Sequence, residues 1–301
     1  MRLYIEDTPI DAALTAAVAT DSAGGQADSR RVTLADGRLL SQWDIRQGLR
    51  MELTEGGYTT GEMELCDVQT RMGGVTLGAV SLPYASRQEG WNCFENVTLF
   101  DLLKIGAKEM GLKGAKLYGV KGETVLRRVV RRGQTWPQFL AHVMMMEGAA
   151  VKLSGGYLLA IDYEAFFSGD GAQAILDEES RPNLTRMPKC RYMTVRTGLL
   201  TARAEDADVS GNAGKTLTDE QIYSTEQAMR AARGLLMARN MESEVYTREI
   251  PLNTGLAAMS RVCVLGSGAG SGRWFVHKCA HDFVKRKTVL TLYRNITSIK
   301  I

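Results

Sequence analysis

The sequence predicts an α+β protein that is mainly β, with a helix-plus-hairpin insert set between two strand-rich ends. Three observations carry this. Residues up to about 82, and again from about 183 onward, alternate apolar and polar side chains with a period of two, as half-buried strands do. Between them, Gln134 to Tyr163 switches from a helical period to a tight hairpin. No fixed-period repeat is visible, although the two strand-rich ends are candidates for related folds.

At 301 residues, 45% of them apolar, the chain has material for two or three small domains with real cores. Its 37 basic and 34 acidic residues leave a net charge of +3, too balanced to argue for nucleic acid on electrostatics. The five cysteines, Cys66, Cys93, Cys190, Cys263 and Cys279, are odd in number, widely spaced and without a C-x-x-C pair. They read as reduced thiols of a protein folded in a cytoplasm. Met1-Arg2-Leu3 runs into Glu6 and Asp7, and no later apolar stretch reaches membrane-spanning length. Neither a secretory signal nor a membrane anchor is expected.

In chain order, Leu3 and Ile5, Val32 to Leu34 before the Ala35-Asp36-Gly37 turn, Met51 to Leu53, and Met63 to Val68 read as strands of a small antiparallel barrel or sandwich. The alanine-rich run from Ile10 to Ala19 reads as one helix among them. Leu82 to Asn92 breaks the pattern and marks a boundary. Thr98 and Asp101 form a capping pair for a helix that buries Leu99, Leu102, Leu103 and Met110 and stops at Gly111. Val125 to Arg132 sits between this helix and the stretch from Gln134, and its Arg127, Arg128, Arg131 and Arg132 are candidates for a phosphate-binding face. Without interleaved aromatics, solvated charge beside a strand is the simpler account.

Thr135 with Gln138 is a capping box, and Pro137 sits in the first turn, where its missing amide costs nothing. Phe139, Leu140, Val143 and Met144 then form one apolar stripe. Gly148 ends the helix, and Val151 and Leu153, Gly155-Gly156, and Tyr157 to Ile161 spell a hairpin. So small a unit must dock on something larger.

From Asn183 the strands resume at Tyr192 to Arg196 and return at Arg261 to Leu265, Trp274 to Phe283 and Thr288 to Tyr293. Asp206 to Lys215 reads as an exposed loop. Ser224 with Gln227 caps a helix that buries Ala228, Ala231, Ala232, Leu235 and Leu236 and ends before Asn240. The resulting division is 1–90, 91–182 and 183–301.

Chemistry is sparse. Gly266 to Gly272 invites a dinucleotide reading, but Arg273-Trp274-Phe275-Val276 follows as strand where a phosphate loop must open a helix. A hairpin loop fits better. His277, Cys279 and His281, at i, i+2 and i+4, would share one strand face and are candidate metal ligands. Neighbouring members would stand about 6.6 Å apart, which makes a single small ion hard for all three to reach. Burial of Cys279, with the histidines at the edge of a core, is the alternative. His142 falls in the apolar helix, no G-x-S-x-G elbow exists, and the acidic runs at Asp177-Glu178-Glu179 and Glu205, Asp206 and Asp208 read as loop acidity. No catalytic and no cofactor-binding residue is assigned, and no cofactor is expected.

The string Gly133-Gln134-Thr135-Trp136, then Phe139-Leu140, a helix, Glu147-Gly148-Ala149, a strand, Gly155-Gly156 and Tyr157 to Asp162 resembles a segment of phage tail hub proteins of the late control protein D type. Gly272 to Phe283 followed by Thr288 to Leu292 is similar to that family's last barrel hairpin, and the helices at Thr98 and Ser224 fall in the same order. The resemblance covers most of the chain. It departs at the long Gly266 to Gly272 loop and at Met144-Met145-Met146.

The resemblance implies a non-enzymatic baseplate hub of a contractile phage tail or tail-like particle, assembled in the bacterial host cytoplasm. Each subunit would carry two tube-like antiparallel β-barrels, and three subunits would form a pseudo-sixfold homotrimeric ring. Its partners would be the tail tube protein, the central spike protein and other baseplate proteins, with nucleic acid at most passing through the lumen. Trp43, Trp91, Trp136 and Trp274 are candidate contact anchors, with core burial the alternative for each. A rival reading from another class is a metal-dependent cell-wall hydrolase using His277, Cys279 and His281, and a third is a nucleic-acid-binding module using the four arginines.

Overall fold

The structure, a computed structural model, describes residues 1–36, 44–71, 74–169, 171–218, 221–296 and 298–300. It is mainly β, with antiparallel pairing predominant and four α-helices. The N-terminal strands are β1 (Arg2–Ile5), β2 (Thr8–Ile10), β3 (Leu14–Ser22), β4 (Ser29–Leu34), β5 (Arg50–Glu55), β6 (Tyr58–Thr59), β7 (Met63–Arg71) and β8 (Gly74–Val80). A 3₁₀ turn at Tyr84–Arg87 leads into β9 (Gly90–Thr98), α1 (Leu99–Glu109), β10 (Gly114–Tyr118) and β11 (Val125–Gln134). Then come α2 (Trp136–Met146), β12 (Ala149–Ser154), β13 (Tyr157–Asp162), α3 (Tyr163–Ser168) and β14 (Ala174–Asp177). The chain continues through β15 (Asn183–Arg186), β16 (Tyr192–Thr197), β17 (Leu200–Asp206), β18 (Gly214–Thr218), α4 (Thr225–Met241) and β19 (Glu244–Pro251). It ends in β20 (Arg261–Leu265), β21 (Gly272–Asp282), β22 (Lys287–Arg294) and β23 (Ile299–Lys300).

Fourteen strands form one sheet with the main path β15-β19-β22-β21-β3-β4-β8-β7-β5-β1-β2. Strands from the two ends of the sequence therefore share a ladder. Their seam is the antiparallel pairing of β3 with β21, in which Asp21 faces Cys279 and Ala19 faces His281. No closed barrel forms among the described residues. The N-terminal half of the sheet buries Leu3, Leu34, Met51, Leu53, Leu65 and Leu77 together with Phe283 from beyond β21. The C-terminal half buries Tyr246, Trp274, Leu290 and Leu292.

The run expected as a helix at Ile10 to Ala19 is instead the end of β2, a short link and the first part of β3, an interior strand of the sheet. Its alanines carry helix propensity, yet Ala17 and Ala19 are fully buried between β4 and β21, and long-range pairing overrides local preference. The loop expected at Asp206 to Lys215 is real only in its middle, because Asp206 closes β17 as a buried residue and Gly214 opens β18.

In the middle of the chain, β9 and β11 make a two-stranded ribbon, and β10-β13-β12 a three-stranded sheet with β10 parallel to β13. Helices α1 and α2 fill the space between them around Leu102, Trp136, Phe139 and Leu140. The capping box at Thr135 and Gln138 is present, as is the Thr98 cap, whose hydroxyl accepts from the Asp101 amide. Gly155 and Gly156 both take positive φ, which the two-residue turn between β12 and β13 demands. The module docks on α4, whose Ala228, Ala231, Ala232 and Leu236 join a core with Met146, Ala150, Phe166 and Phe275. Of the stripe foreseen on α4, Leu235 alone is half-buried, and Asn240 lies inside the helix, fully buried.

Candidate functional site

The strand that carries His277, Cys279 and His281 is bulged: the β21–β22 register shifts between Val276 and Lys278. The bulge removes His277 from the face of the other two. Its ring lies flat on Tyr293, with centroids 4.1 Å apart and planes 4° from parallel. There it lines a cleft of about 370 Å³ shared with His142, Met145, Tyr163 and Glu242. Burial, assisted by Lys278, holds its pKa down to about 4, so the ring is neutral at physiological pH.

Cys279 and His281 stay together, with Sγ 3.6 Å from Nε2. Both ring nitrogens of His281 are already engaged: Nδ1 stands 2.9 Å from the Thr288 hydroxyl and Nε2 3.1 Å from the Leu256 carbonyl. A neutral ring with its proton on Nε2 satisfies every contact, since the Thr288 hydroxyl takes the Asn253 amide and donates to Nδ1. Burial lowers the pKa of His281 and, with the charge of Asp21 opposite, pushes the Cys279 thiol up to about 12. A neutral thiol and an imidazole without a spare lone pair are poor ligands. Among the described residues no group of three or more His, Cys, Asp or Glu side chains is placed to hold a metal ion.

Next to this pair lies a buried charged cluster that the sequence reading missed. Lys152, 6% exposed on β12, reaches across to the Asp21 carboxylate on β3, whose other oxygen accepts the Ala258 amide at 3.1 Å. Asp28 accepts the Ser22 amide at 2.9 Å. Burial, against the pull of Lys152 and with the push of Asp21, raises the Asp28 carboxyl to about 7. Arg30, 5% exposed, donates to the carbonyls of Thr20 and Ser29 at 2.9 and 2.7 Å. The cluster joins the inserted sheet to the large sheet, and the Gly25 amide donates to the Val151 carbonyl beside it at 2.9 Å. One signal was available: a lone lysine in Ala149-Ala150-Val151-Lys152-Leu153, a strand buried on both faces, has to find a buried partner.

The four arginines of β11 do not form one face. Arg131 turns inward, donating from Nε to the Gly90 carbonyl at 3.2 Å with its guanidinium 4.6 Å from the Trp136 ring centre, while Arg127, Arg128 and Arg132 are exposed. Trp136 and Trp274 are core residues. Trp91, by contrast, is 75% exposed, so the alternative of core burial fails for it, and Trp43 lies outside the described residues.

The glycine loop from Gly266 to Gly272 joins β20 to β21, as a hairpin loop should. Its amides do cradle an anion, but an internal one: the Glu178 carboxylate accepts from Gly268 at 2.7 Å and Gly270 at 2.6 Å. Glu178, read from sequence as loop acidity, is therefore a clasp. A cleft of about 570 Å³ lies between α4 and the insert. Its arginines are already neutralised, Arg230 by Glu147 and Arg233 by Glu164, each at 2.6 Å.

No protein-family profile matches the chain, and no characterised protein matches it by sequence. Solved structures do. A tail protein from Neisseria meningitidis MC58 superposes with a TM-score of 0.78 over 98% of this chain and 96% of its own, at 15% identity. The 43 kDa tail protein of prophage MuSo2 from Shewanella oneidensis gives 0.75 over 98% of both chains, at 14% identity. The chain has the fold of phage tail proteins. A type VI secretion component from E. coli, itself similar in structure to bacteriophage T4 tail proteins, shares the fold more distantly, with a TM-score of 0.59 over 97% of this chain and 76% of its own, at 10% identity. Within this tail-protein fold, the described residues include no helix long and apolar enough to cross a membrane.

Proposed function

We propose that this chain is the structural baseplate hub of a contractile tail or tail-like particle. The observation that carries the reading is the likeness to two tail proteins, one of them from a prophage, along 98% of the chain, which leaves no large part of the sequence outside the shared fold. In this reading the hub is non-enzymatic and needs no cofactor. Three copies close into a pseudo-sixfold ring, in which residues 1–90 and 183–301 act as two tube-like barrels, completed as rings of strands between subunits, and residues 91–182 form the inserted module. The ring joins a sixfold tail tube to a threefold central spike, and the insert meets other baseplate proteins. Assembly takes place in the bacterial host cytoplasm before the particle is complete.

Strand edges support this. The large sheet ends in short strands, β2 of three residues and β15 of four, whose outer edges have no partner strand among the described residues and would be completed by neighbouring subunits. Light scattering of the purified chain, alone and mixed with its spike and tube proteins, tests the reading. A trimer, or assembly into one with the spike, is expected. A strict monomer that binds neither partner would overturn it, as would a position away from the tube–spike junction in particles imaged by electron microscopy.

A further inference from the structure

We propose that the open edge of β9, with Trp91 beside it, is a docking site for an extended acidic segment of a partner protein, which adds to the ribbon as a third strand. This stands whether or not the chain is a hub.

The ribbon has one occupied edge and one open edge. On β11 the Val130 amide turns away from β9 and donates to Gln221 Oε1 at 2.7 Å. Val130 is opposite Cys93, so this is a non-hydrogen-bonded pair, and in an antiparallel ladder both members of such a pair direct their backbone groups outward. Cys93 therefore presents its N–H and C=O away from β11, and by alternation Trp91 and Glu95 do the same. Among the described residues none of these groups meets a backbone or side-chain partner. The run is regular from Trp91 to Glu95 and ends at Asn96, whose φ of +49 breaks the strand geometry. An incoming chain would read about five residues, or roughly 17 Å of strand.

Side chains decide what kind of chain fits. Trp91, Cys93 and Glu95 lie cross-strand from Arg132, Val130 and Arg128, all on the face away from α2. The opposite face is closed by Phe94, whose ring is 5.9 Å from Trp136 and 6.3 Å from Phe139. Trp91 is the most exposed tryptophan described, and its ring lies alongside Gly133. Arg128 and Arg132 are exposed and form no ion pair among the described residues, Arg128 lying beside the Cys93 thiol, and Glu95 is the one acid among the cross-strand pairs of this face. An unpaired edge recognises an extended backbone, the indole offers an apolar anchor, and the arginines favour carboxylates. Arg131, withdrawn into the core, plays no part.

Fluorescence anisotropy with the full chain tests the site. The probes are a labelled nonapeptide alternating Glu and Val, its Lys and Val counterpart, and a deoxythymidine decamer. The acidic peptide is expected to bind at least about tenfold more tightly than the basic one. Cys93→Pro deletes an outward amide that the β9–β11 ladder does not use, so it is expected to abolish peptide binding while leaving the thermal midpoint unchanged. Should that variant misfold, Trp91→Ala is expected to weaken the acidic peptide and Arg132→Glu to reverse the preference between peptides. Equal binding of the two peptides, binding of neither, binding of the decamer alone, or an indifferent set of variants would each overturn the proposal.

Discussion

The insert is fastened to the rest of the molecule through two joints that differ in kind. At one, Lys152 enters the large sheet and meets Asp21 and Asp28 in a buried, charged pocket. At the other, the end of α2 lies so close to α4 that a Cβ on Gly234 would stand 2.2 Å from the Met145 carbonyl oxygen and 2.7 Å from the Gly148 amide. The first joint is specified by charge and the second by shape. Charge joints respond to protonation and to the loss of a partner, whereas shape joints respond to volume and are indifferent to pH.

The largest effect should come from the charge joint. Lys152→Met keeps the bulk but strands a carboxylate in the interior, and is expected to cost about 3–5 kcal/mol in urea unfolding. Adding Asp21→Asn to that variant is expected to recover much of the loss, since a neutral cluster no longer needs a counter-charge. No recovery would mean that Lys152 acts through packing rather than charge.

Next comes the shape joint. Gly234→Ala is favourable for an isolated helix, yet here both obstacles are backbone atoms, which cannot rotate away. A loss of about 1–3 kcal/mol is expected, the same at every pH where the protein is folded. A stabilised variant would show that α2 and α4 can part without cost.

The smallest effect separates the joints by titration. The Asp28 carboxyl rises from 3.8 to about 7 on folding, so between those values the native state holds a proton that the unfolded chain has released, and stability falls as pH rises through that window. His277 moves from 6.5 to about 4, so there the unfolded chain binds the proton that the native state refuses, and stability rises with pH. The two slopes oppose each other in the wild type. Thermal melts across this range are expected to climb more steeply with pH in Asp28→Asn, which mimics the protonated acid, and to turn toward a fall in His277→Gln. Parallel profiles for the two variants would remove protonation from the account of the charge joint.

What could be read from the sequence was local. The helix caps at Thr98, Thr135 and Ser224 need only residues three apart, and the Gly155-Gly156 turn needs only itself, so all were legible. The β3–β21 seam joins residues more than two hundred positions apart and has no local mark, which is why Ile10 to Ala19 read as helix and the ends read as separate units. The bulge at His277 hid for a related reason: strict alternation put three candidate ligands on one face, and one extra residue in the ladder moved His277 off it. The four arginines could not share one face for the same elementary reason: alternation puts Arg131 on the side of the buried Val129, and it turns inward toward the ring of Trp136 while its neighbours remain in solvent.

The seam has a cost in time. During synthesis β3 leaves the ribosome long before its partner, and pairing Asp21 with Cys279 must wait for the intervening residues, on the order of ten to fifty seconds at bacterial elongation rates of ~5–20 residues per second. Even once β3 has paired with β4, as it is in the folded protein, its other side stays open through that interval. The nascent chain thus carries an exposed edge of alanine, valine and threonine, and only the arrival of β21 closes it.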